Sequence, residues 1–199
     1  GFGARVLDDS LPKYINSPET PVYIKGKNLY GLHLAKDAIR DNDYAVVVEG
    51  YLDFIVPYQE GLRNIVASQG TALTEVQAAL IKRYTHNVVM LYDGDNAGEL
   101  ATLRSLDIFL EEGMNVKIAT LEKGHDPDSF LRKSGREKFD EFIKKSKSLF
   151  TYKLDILKGR FNTDEPESKA EIIKEMLLTI RRVKNAVIMA EYIKLLAQE

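Results

Sequence analysis

The chain has 199 residues, of which 44% are hydrophobic and 29% are charged. This balance is typical of a globular protein and excludes a disordered or fibrous chain. Because the sequence contains no cysteine, disulfides, thiolate nucleophiles and cysteine-ligated zinc are excluded as well. No apolar run approaches the roughly 20 residues that cross a bilayer, and no signal sequence opens the chain. We therefore expect a cytoplasmic protein that has no membrane partner.

Charge is distributed unevenly along the chain. Its 28 basic and 30 acidic residues give a net charge of −2, which by itself argues against a nucleic-acid binder. Between residues 44 and 128, however, thirteen acids stand against six bases, a local charge of −7. Residues 1–40 carry +2 and residues 129–199 carry +5. This asymmetry predicts one surface for cations and others for polyanions.

The first 43 residues form a segment of their own. Prolines and glycines recur between residues 12 and 31, which predicts an extended or turning chain, and residues 28–40 are amphipathic, which predicts a helix. The segment also carries a surplus of basic residues. We expect a basic, turn-rich subdomain over residues 1–43.

Four short apolar runs follow at helix-length spacing: residues 44–50, 64–68, 88–92 and 116–121. Continuous apolar runs predict buried strands of a parallel sheet, and their spacing predicts right-handed crossovers through helices. One such helix can begin at Thr74, whose side chain is suited to cap it, and another follows Gly98. We therefore predict a doubly wound, mainly parallel sheet within residues 44–135.

Beyond residue 135 the strand pattern ends. Helices are predicted over residues 137–160, 166–183 and 185–198, and Gly135 marks the start of this part. Residues 136–199 are expected to form a helical subdomain. The predicted fold class is thus α/β, with an extended basic segment before the sheet and a helical subdomain after it.

Acidic residues follow the predicted strands at their carboxyl ends. These residues are Glu49, Asp93, Asp95, Asp126 and Asp128. In a doubly wound sheet the carboxyl ends meet at one edge, where ligands bind, so we expect the five carboxylates to converge. At about 5 Å and an effective dielectric constant near 20, each like-charged pair costs roughly 3 kcal/mol. Such a cluster favours bound cations, and oxygen-only ligands favour Mg²⁺ or Mn²⁺ over zinc.

Other interpretations of the Asp93–Gly98 loop can be weighed on its residues. An EF-hand needs oxygen ligands where Ala97 and Arg104 stand, so that class is excluded. A phosphatase with Asp93 as nucleophile and Asp95 as acid is chemically feasible, although only the spacing of the two residues supports it. A solvated turn is the alternative for any isolated Asp-x-Asp.

The combination of motifs resembles a known family. Glu-Gly-Tyr-x-Asp at 49–53, Asp-Gly-Asp-x-Ala-Gly at 93–98 and Asp-Pro-Asp at 126–128 resemble the Toprim domain of primases, topoisomerases and certain nucleases. Further similarity to the catalytic core of bacterial DnaG-type primases lies in the segments 1–6, 12–20, 25–27 and 70–74. The resemblance is close over about residues 1–135 and rests on position alone for the helical tail.

The resemblance implies a DNA-dependent RNA polymerase that makes short RNA primers on single-stranded DNA by metal-assisted nucleotidyl transfer. It implies two or more Mg²⁺ or Mn²⁺ ions and the catalytic residues Glu49, Asp93 and Asp95, with Glu49 as general base or metal-orienting group. It assigns metal binding to the family's acidic positions, which here are Glu49, Asp93, Asp95, Asp126 and Asp128. Supporting roles fall to Gly50, Asp53 and Gly94, through close backbone approach and through contact with the ligands.

The resemblance also implies partners. Template and nucleotide would be bound by basic, aromatic and amide positions near the amino terminus, namely Arg5, Lys13, Tyr14, Asn16 and Lys25. Ribonucleoside triphosphates, the RNA primer and, at the replication fork in the nucleoid, the replicative helicase are the expected partners. Because the chain lacks an initiating methionine, we expect a fragment whose zinc-binding and helicase-binding domains lie outside it.

Two other classes stay open at this point. Another Toprim enzyme, such as a nuclease or a topoisomerase fragment, would share the acidic motifs. A non-catalytic nucleic-acid-binding module would use the carboxylates only to hold a structural ion.

Overall fold

A mainly parallel sheet with helices on both faces forms the centre of the molecule. The computed structural model of the chain describes residues 2–6, 14–69, 73–93, 103, 106–122 and 124–199. The strands are β1 Gly3–Arg5, β2 Tyr14–Asn16, β3 Ala45–Val48, β4 Ile65–Ala67, β5 Asn87–Tyr92, β6 Asn115–Thr120 and β7 Lys147–Ser148. The helices are α1 Leu32–Asn42, α2 Tyr51–Gln59, α3 Glu75–Lys82, α4 Asp107–Glu111, α5 Pro127–Lys144, α6 Leu149–Arg160, α7 Pro166–Ile180 and α8 Ala186–Gln198.

The five-stranded sheet has the order β4-β3-β5-β6-β7. The first four strands run parallel, and β7 pairs antiparallel with β6 at the edge. From β3 the chain moves outward to β4 and then returns to the other side of β3 as β5. The strand order therefore reverses between β3 and β5, and at such a switch point the loops separate and leave a crevice.

Helices cover both faces of the sheet, as the continuous apolar strands require. All residues of β3 and β4 are buried. One face packs against α1, α3 and α4 through residues such as Ile39, Ile81 and Phe109. The other face packs against α2 and α5 through Phe54 and Phe139. The predicted α/β fold with a doubly wound, mainly parallel sheet is confirmed.

The helical tail begins differently from the prediction. Helix α5 starts at Pro127, capped by Asp126, and Gly135 interrupts it with a backbone φ of 79° and ψ of 169°. The expected helix over 137–160 is broken after Lys144, because Lys147–Ser148 pair with β6. The Ser148 side chain then accepts a hydrogen bond from the Thr151 amide at 3.0 Å and caps α6.

The tail helices pack on each other and on the sheet. Helices α6, α7 and α8 share a core that includes Phe150, Leu157 and Met176. Leu149 and Val183 from this tail belong to the core on the α1–α3–α4 face of the sheet. The proposed boundary between residues 135 and 136 falls inside α5, so the domain division stays a prediction. None of the described helices is both long and apolar enough to cross a membrane.

Candidate active site

Two acidic residues of the sequence motifs follow the strands that border the switch point. Glu49 comes directly after β3 and Asp93 directly after β5, and these two strands are paired in parallel. Burial and the charge of Glu49 both raise the pKa of Tyr92, the last residue of β5. Glu49 therefore lies within electrostatic range of the end of β5, as expected for one shared edge.

Asp53 occupies the first turn of α2, just behind this edge. Its Oδ2 accepts a hydrogen bond from the Gly50 amide at 2.8 Å. A Cβ on residue 50 would lie 2.7 Å from the same oxygen, so any larger residue would displace the Asp53 carboxylate. Burial raises the pKa of Asp53, the Gly50 hydrogen bond lowers it, and repulsion from Asp126 and Asp128 raises it further. The predicted supporting residues Gly50 and Asp53 thus interact with each other.

Glu49 is exposed at the rim. The protein around its carboxylate nevertheless removes enough hydration to raise its pKa, and repulsion from Asp53 adds to this. The Asp53 carboxylate therefore interacts electrostatically with Glu49 on one side and with Asp126 and Asp128 on the other. A bound cation would stabilise this group of like charges, in which the pKa values of Glu49 and Asp53 are raised.

Asp126 and Asp128 lie at the start of α5, where the helix dipole favours negative charge. Asp126 Oδ1 accepts from the Ser129 amide at 2.7 Å, and Asp128 Oδ1 accepts from Arg132 Nε at 2.5 Å. Asp126 is exposed and Asp128 is half-buried. Both carboxylates thus accept a hydrogen bond from the protein and also repel the Asp53 carboxylate.

The donor chemistry of this edge fits a hard divalent cation, because it consists of carboxylate oxygens. Among the residues that the structure describes, which leave out Asp95, no three acidic or histidine side chains form a group that could hold a metal ion. Asp93 is half-buried, and the predicted Gly94 and Asp95 lie outside the described residues. The metal-ligand set therefore stays a prediction.

The basic amino-terminal segment is bonded to the same edge. Strands β1 and β2 pair antiparallel, with Arg5 opposite Tyr14 in the register. The hydroxyl of Tyr51, which follows the Glu49-Gly50 pair, donates to Asn16 Oδ1 at 2.5 Å. A Cβ on Gly3 would lie 2.9 Å from the Tyr51 ring, so β1 lies directly against it. Asn16, predicted as a nucleotide or template contact, thus also joins the two parts.

Of the remaining predicted binding residues, Lys25 begins a short 3₁₀ turn, Lys25–Lys27, and is half-buried. Lys13 lies outside the described residues. The sequence interpretation missed Gln77 and Tyr51, which contact this segment from α3 and α2. A signal for Gln77 was present, since Thr74 and Gln77 have the spacing of a capping box.

Three family models match the chain. Residues 46–131 match the Toprim-like model, residues 1–36 the amino-terminal domain of the DNA primase catalytic core, and residues 150–199 the DnaB-helicase binding domain of primase. A DNA primase from Clostridium acetobutylicum is 47% identical over 178 residues, which is 88% of this chain and 29% of that protein. A DNA primase from Halalkalibacterium halodurans is 41% identical over 199 residues, which is all of this chain and 33% of that protein.

The chain belongs to the bacterial DnaG-type primases. It spans about a third of the length of these curated primases. A DnaG primase catalytic domain bound to single-stranded DNA superposes with a TM-score of 0.87 at 33% identity, covering 100% of this chain and 65% of the other. The structure of the Aquifex aeolicus primase, with its zinc-binding and RNA polymerase domains, superposes with a TM-score of 0.82 at 36% identity. The match covers 100% of this chain and 47% of that one.

The family-model matches change one expectation about which primase domains this chain contains. A helicase-binding domain was expected outside this chain, yet residues 150–199 match the model of that description. These residues include α7, α8 and nearly all of α6. In this part of the sequence the resemblance to primases rested on position and not on motifs. The helical tail is therefore part of the primase resemblance in its own right.

Proposed function

We propose that this chain is the metal-binding and template-binding part of a replicative primase, which makes short RNA primers on single-stranded DNA from ribonucleoside triphosphates. The observation that carries the proposal is the position of Glu49 and Asp93 at the strand-order switch, with the basic segment bonded to the same edge through Tyr51. The relatives named DNA primase support it, as does the matched structure with single-stranded DNA.

The acidic residues divide the chemistry among them. Glu49, Asp93, Asp95, Asp126 and Asp128 would hold Mg²⁺ or Mn²⁺. Bound there, the metal supplies charge neutralisation for the triphosphate and for the attacking oxygen. The Glu49 carboxylate is the candidate general base for the attacking hydroxyl. Asp53 holds the Gly50 amide and so keeps the Glu49 loop in place.

The basic segment supplies the contacts to polyanions. Arg5, Lys13 and Lys25 would neutralise phosphates, and Tyr14 and Asn16 would contact nucleotide or template. Such an enzyme acts at the replication fork, in the cytoplasm. Zinc would be bound by a separate domain, since this chain has no cysteine.

Replacing Asp93 with Asn tests the proposal in a primase of the relatives' full length. Primer synthesis on single-stranded DNA should be lost, and Mn²⁺ affinity measured by paramagnetic resonance should fall, while circular dichroism stays unchanged. Asp37→Asn is the matched control, because Asp37 is exposed on α1 and forms an ion pair with Arg40 on the same helix. Full primer synthesis by Asp93→Asn would refute the assignment.

Two further assays separate the other classes. A Toprim nuclease would cleave duplex DNA in the presence of Mg²⁺ without ribonucleotides. A non-catalytic module would bind nucleic acid but show no metal-dependent binding of nucleoside triphosphate by calorimetry. Either result with the wild-type chain, without primer synthesis by the full-length enzyme, would replace the primase proposal.

We further propose that the outer face of α7 is the contact for the replicative helicase. Ile173, Leu177 and Leu178 are each at least 40% exposed on this helix. Lys174 and Arg181 flank them and would meet acidic groups at the rim of the partner. The match of this segment to the helicase-binding model supports the choice of partner.

The variant Leu177→Asp should weaken binding to a DnaB-type helicase at least tenfold in surface plasmon resonance, because it places a charge in the apolar contact. Leu34→Asp is the control, since Leu34 is similarly exposed on α1. Equal affinity of Leu177→Asp and wild type would exclude this face.

A further inference from the structure

The Lys25–Lys27 turn is held by one buried side chain from α3. Gln77 is wholly buried. Its Nε2 donates to the Asn28 carbonyl at 2.8 Å and to the Lys25 carbonyl at 3.2 Å, and its Oε1 accepts from the Thr74 amide at 3.1 Å. A side chain in the helix that follows β4 thus reaches both ends of a turn about fifty residues earlier.

Thr74 adds a bond to the middle of the same turn. Its hydroxyl donates to the Gly26 carbonyl at 2.5 Å and accepts from the Gln77 amide at 3.1 Å, where it also caps α3. A Cβ on Gly26 would lie 3.1 Å from Thr74 Cγ2, so the turn lies close against the start of the helix. The carbonyls of residues 25, 26 and 28 are therefore all bonded to this one corner.

This arrangement leaves the two lysines of the turn available. Lys27 is exposed and Lys25 is half-buried, and no carboxylate among the described residues forms an ion pair with either ammonium group. Glu19 accepts from the Lys25 backbone amide at 2.9 Å. Two cations on one fixed turn are suited to phosphate groups of a nucleic-acid strand.

Apart from the contacts with α3, the described bonds of the turn are local: Glu19 accepts from the Lys25 amide, and Asn28 Nδ2 donates to the Ile24 carbonyl at 2.8 Å. The turn's own backbone bonds are those of the Lys27 amide to the Ile24 carbonyl and of the Asn28 amide to the Lys25 carbonyl. A short 3₁₀ turn with so few bonds is weakly stable alone. Fixing it before binding reduces the ordering cost when a strand binds.

We infer that Gln77 is a positioning residue for nucleic-acid binding, which acts by holding the Lys25–Lys27 turn in its binding conformation. The inference rests on the proposed role of the basic segment and adds a residue that has no contact with the ligand itself. Thr74 assists through the Gly26 carbonyl.

The test measures binding of a fluorescein-labelled single-stranded oligothymidylate by anisotropy over a series of salt concentrations. Lys25→Ala/Lys27→Ala should lower affinity and reduce the salt slope by about one for each phosphate that is no longer neutralised. Gln77→Met, which keeps size but has no hydrogen-bonding group, should lower affinity about threefold to tenfold. Gln59→Met is the control on an exposed glutamine of α2 and should bind as wild type does.

A double-mutant cycle distinguishes positioning from general damage. Gln77→Met added to Lys25→Ala/Lys27→Ala should cause no further loss, because the lysines through which Gln77 acts are absent. A merely structural role would lower affinity equally in both backgrounds. Mn²⁺ affinity of the acidic edge should be unchanged in Gln77→Met.

A second variant covers the case in which Gln77→Met folds poorly. Gln77→Glu keeps the acceptor for the Thr74 amide but loses the amide donors to Lys25 and Asn28, and it should also weaken binding. Wild-type affinity in both Gln77 variants, beside weakened binding in Lys25→Ala/Lys27→Ala, would overturn the inference alone. No binding by the wild-type chain would refute the proposed role of the segment itself.

Discussion

Among the described glycines, Gly31 has the closest packing around the position of a Cβ. It precedes α1 with a φ of 79°, and a Cβ there would lie 2.1 Å from the Phe54 ring. Phe54 is 3% exposed and packs edge-on against Tyr30 with ring centroids 5.0 Å apart. The ring therefore has no open space into which it can move.

Replacing Gly31 with Ala should lower the free energy of unfolding by about 2–5 kcal/mol. The positive φ costs about 1–2 kcal/mol for a residue with a Cβ, and overpacking against the ring costs about 1–3 kcal/mol more. Urea denaturation measures the loss. Gly113→Ala is the matched control, since Gly113 has a φ of 71° and no described atom lies within 4 Å of its Cβ. Equal losses in the two variants would show that the ring contact costs nothing.

At the scale of elements, a buried polar chain joins three helices. Lys153 of α6 is wholly buried and donates to Thr179 Oγ1 of α7 at 2.6 Å. The Thr179 hydroxyl donates in turn to Asp107 Oδ1 of α4 at 3.2 Å. Burial raises the pKa of Asp107, although Lys153 and Thr179 lower it in part. This chain connects the helical tail to a helix of the sheet domain.

Thr179→Val keeps the shape but removes the hydroxyl, and should lower the free energy of unfolding by about 1–3 kcal/mol at neutral pH. The hydrogen bond from Thr179 lowers the pKa of Asp107. Its removal therefore raises this pKa further in the folded protein. Ionising Asp107 then costs more, so the loss should shrink as the pH falls through the raised pKa of Asp107, above the usual carboxyl range. Thr20→Val, at an exposed threonine whose described hydrogen bonds are those of its backbone with Tyr23, is the control and should change little. A loss independent of pH would contradict the coupling to Asp107.

Some elements of the fold could be predicted from local sequence, and others could not. The strands β3 to β5 were predictable because each is mainly an apolar run, and β6 because apolar residues stand on both sides of its exposed Lys117. Glu49 and Asp93 were predictable because they end such runs. The break between α5 and α6 was not, because Lys147–Ser148 become a strand only through pairing with β6. The role of Gln77 was also hidden, since Lys25 lies 52 residues before it.

For the whole molecule, the uneven charge agrees with the arrangement of the parts. The acidic central segment includes the residues at the switch-point edge, and the basic amino-terminal segment is bonded to that edge through Tyr51 and Asn16. Two ion pairs connect helices with each other and do not involve the site. They join Arg182 to Glu111 and Lys158 to Glu199. A net charge near zero therefore conceals surfaces of opposite sign that serve different ligands.

The shared core predicts that sheet and tail unfold together. Val183, which follows α7, is 7% exposed and lies in the core on the α1–α3–α4 face of the sheet. Val183→Ala should lower the free energy of unfolding by about 1–2 kcal/mol, from two methyl groups at about 0.8 kcal/mol each. Hydrogen exchange should show the same loss of protection in β5 and in α7, because both would exchange through one cooperative unfolding step. Val187→Ala, 72% exposed on α8, is the control. Reduced protection confined to α7, or two separate urea transitions, would show that the tail is an independent unit.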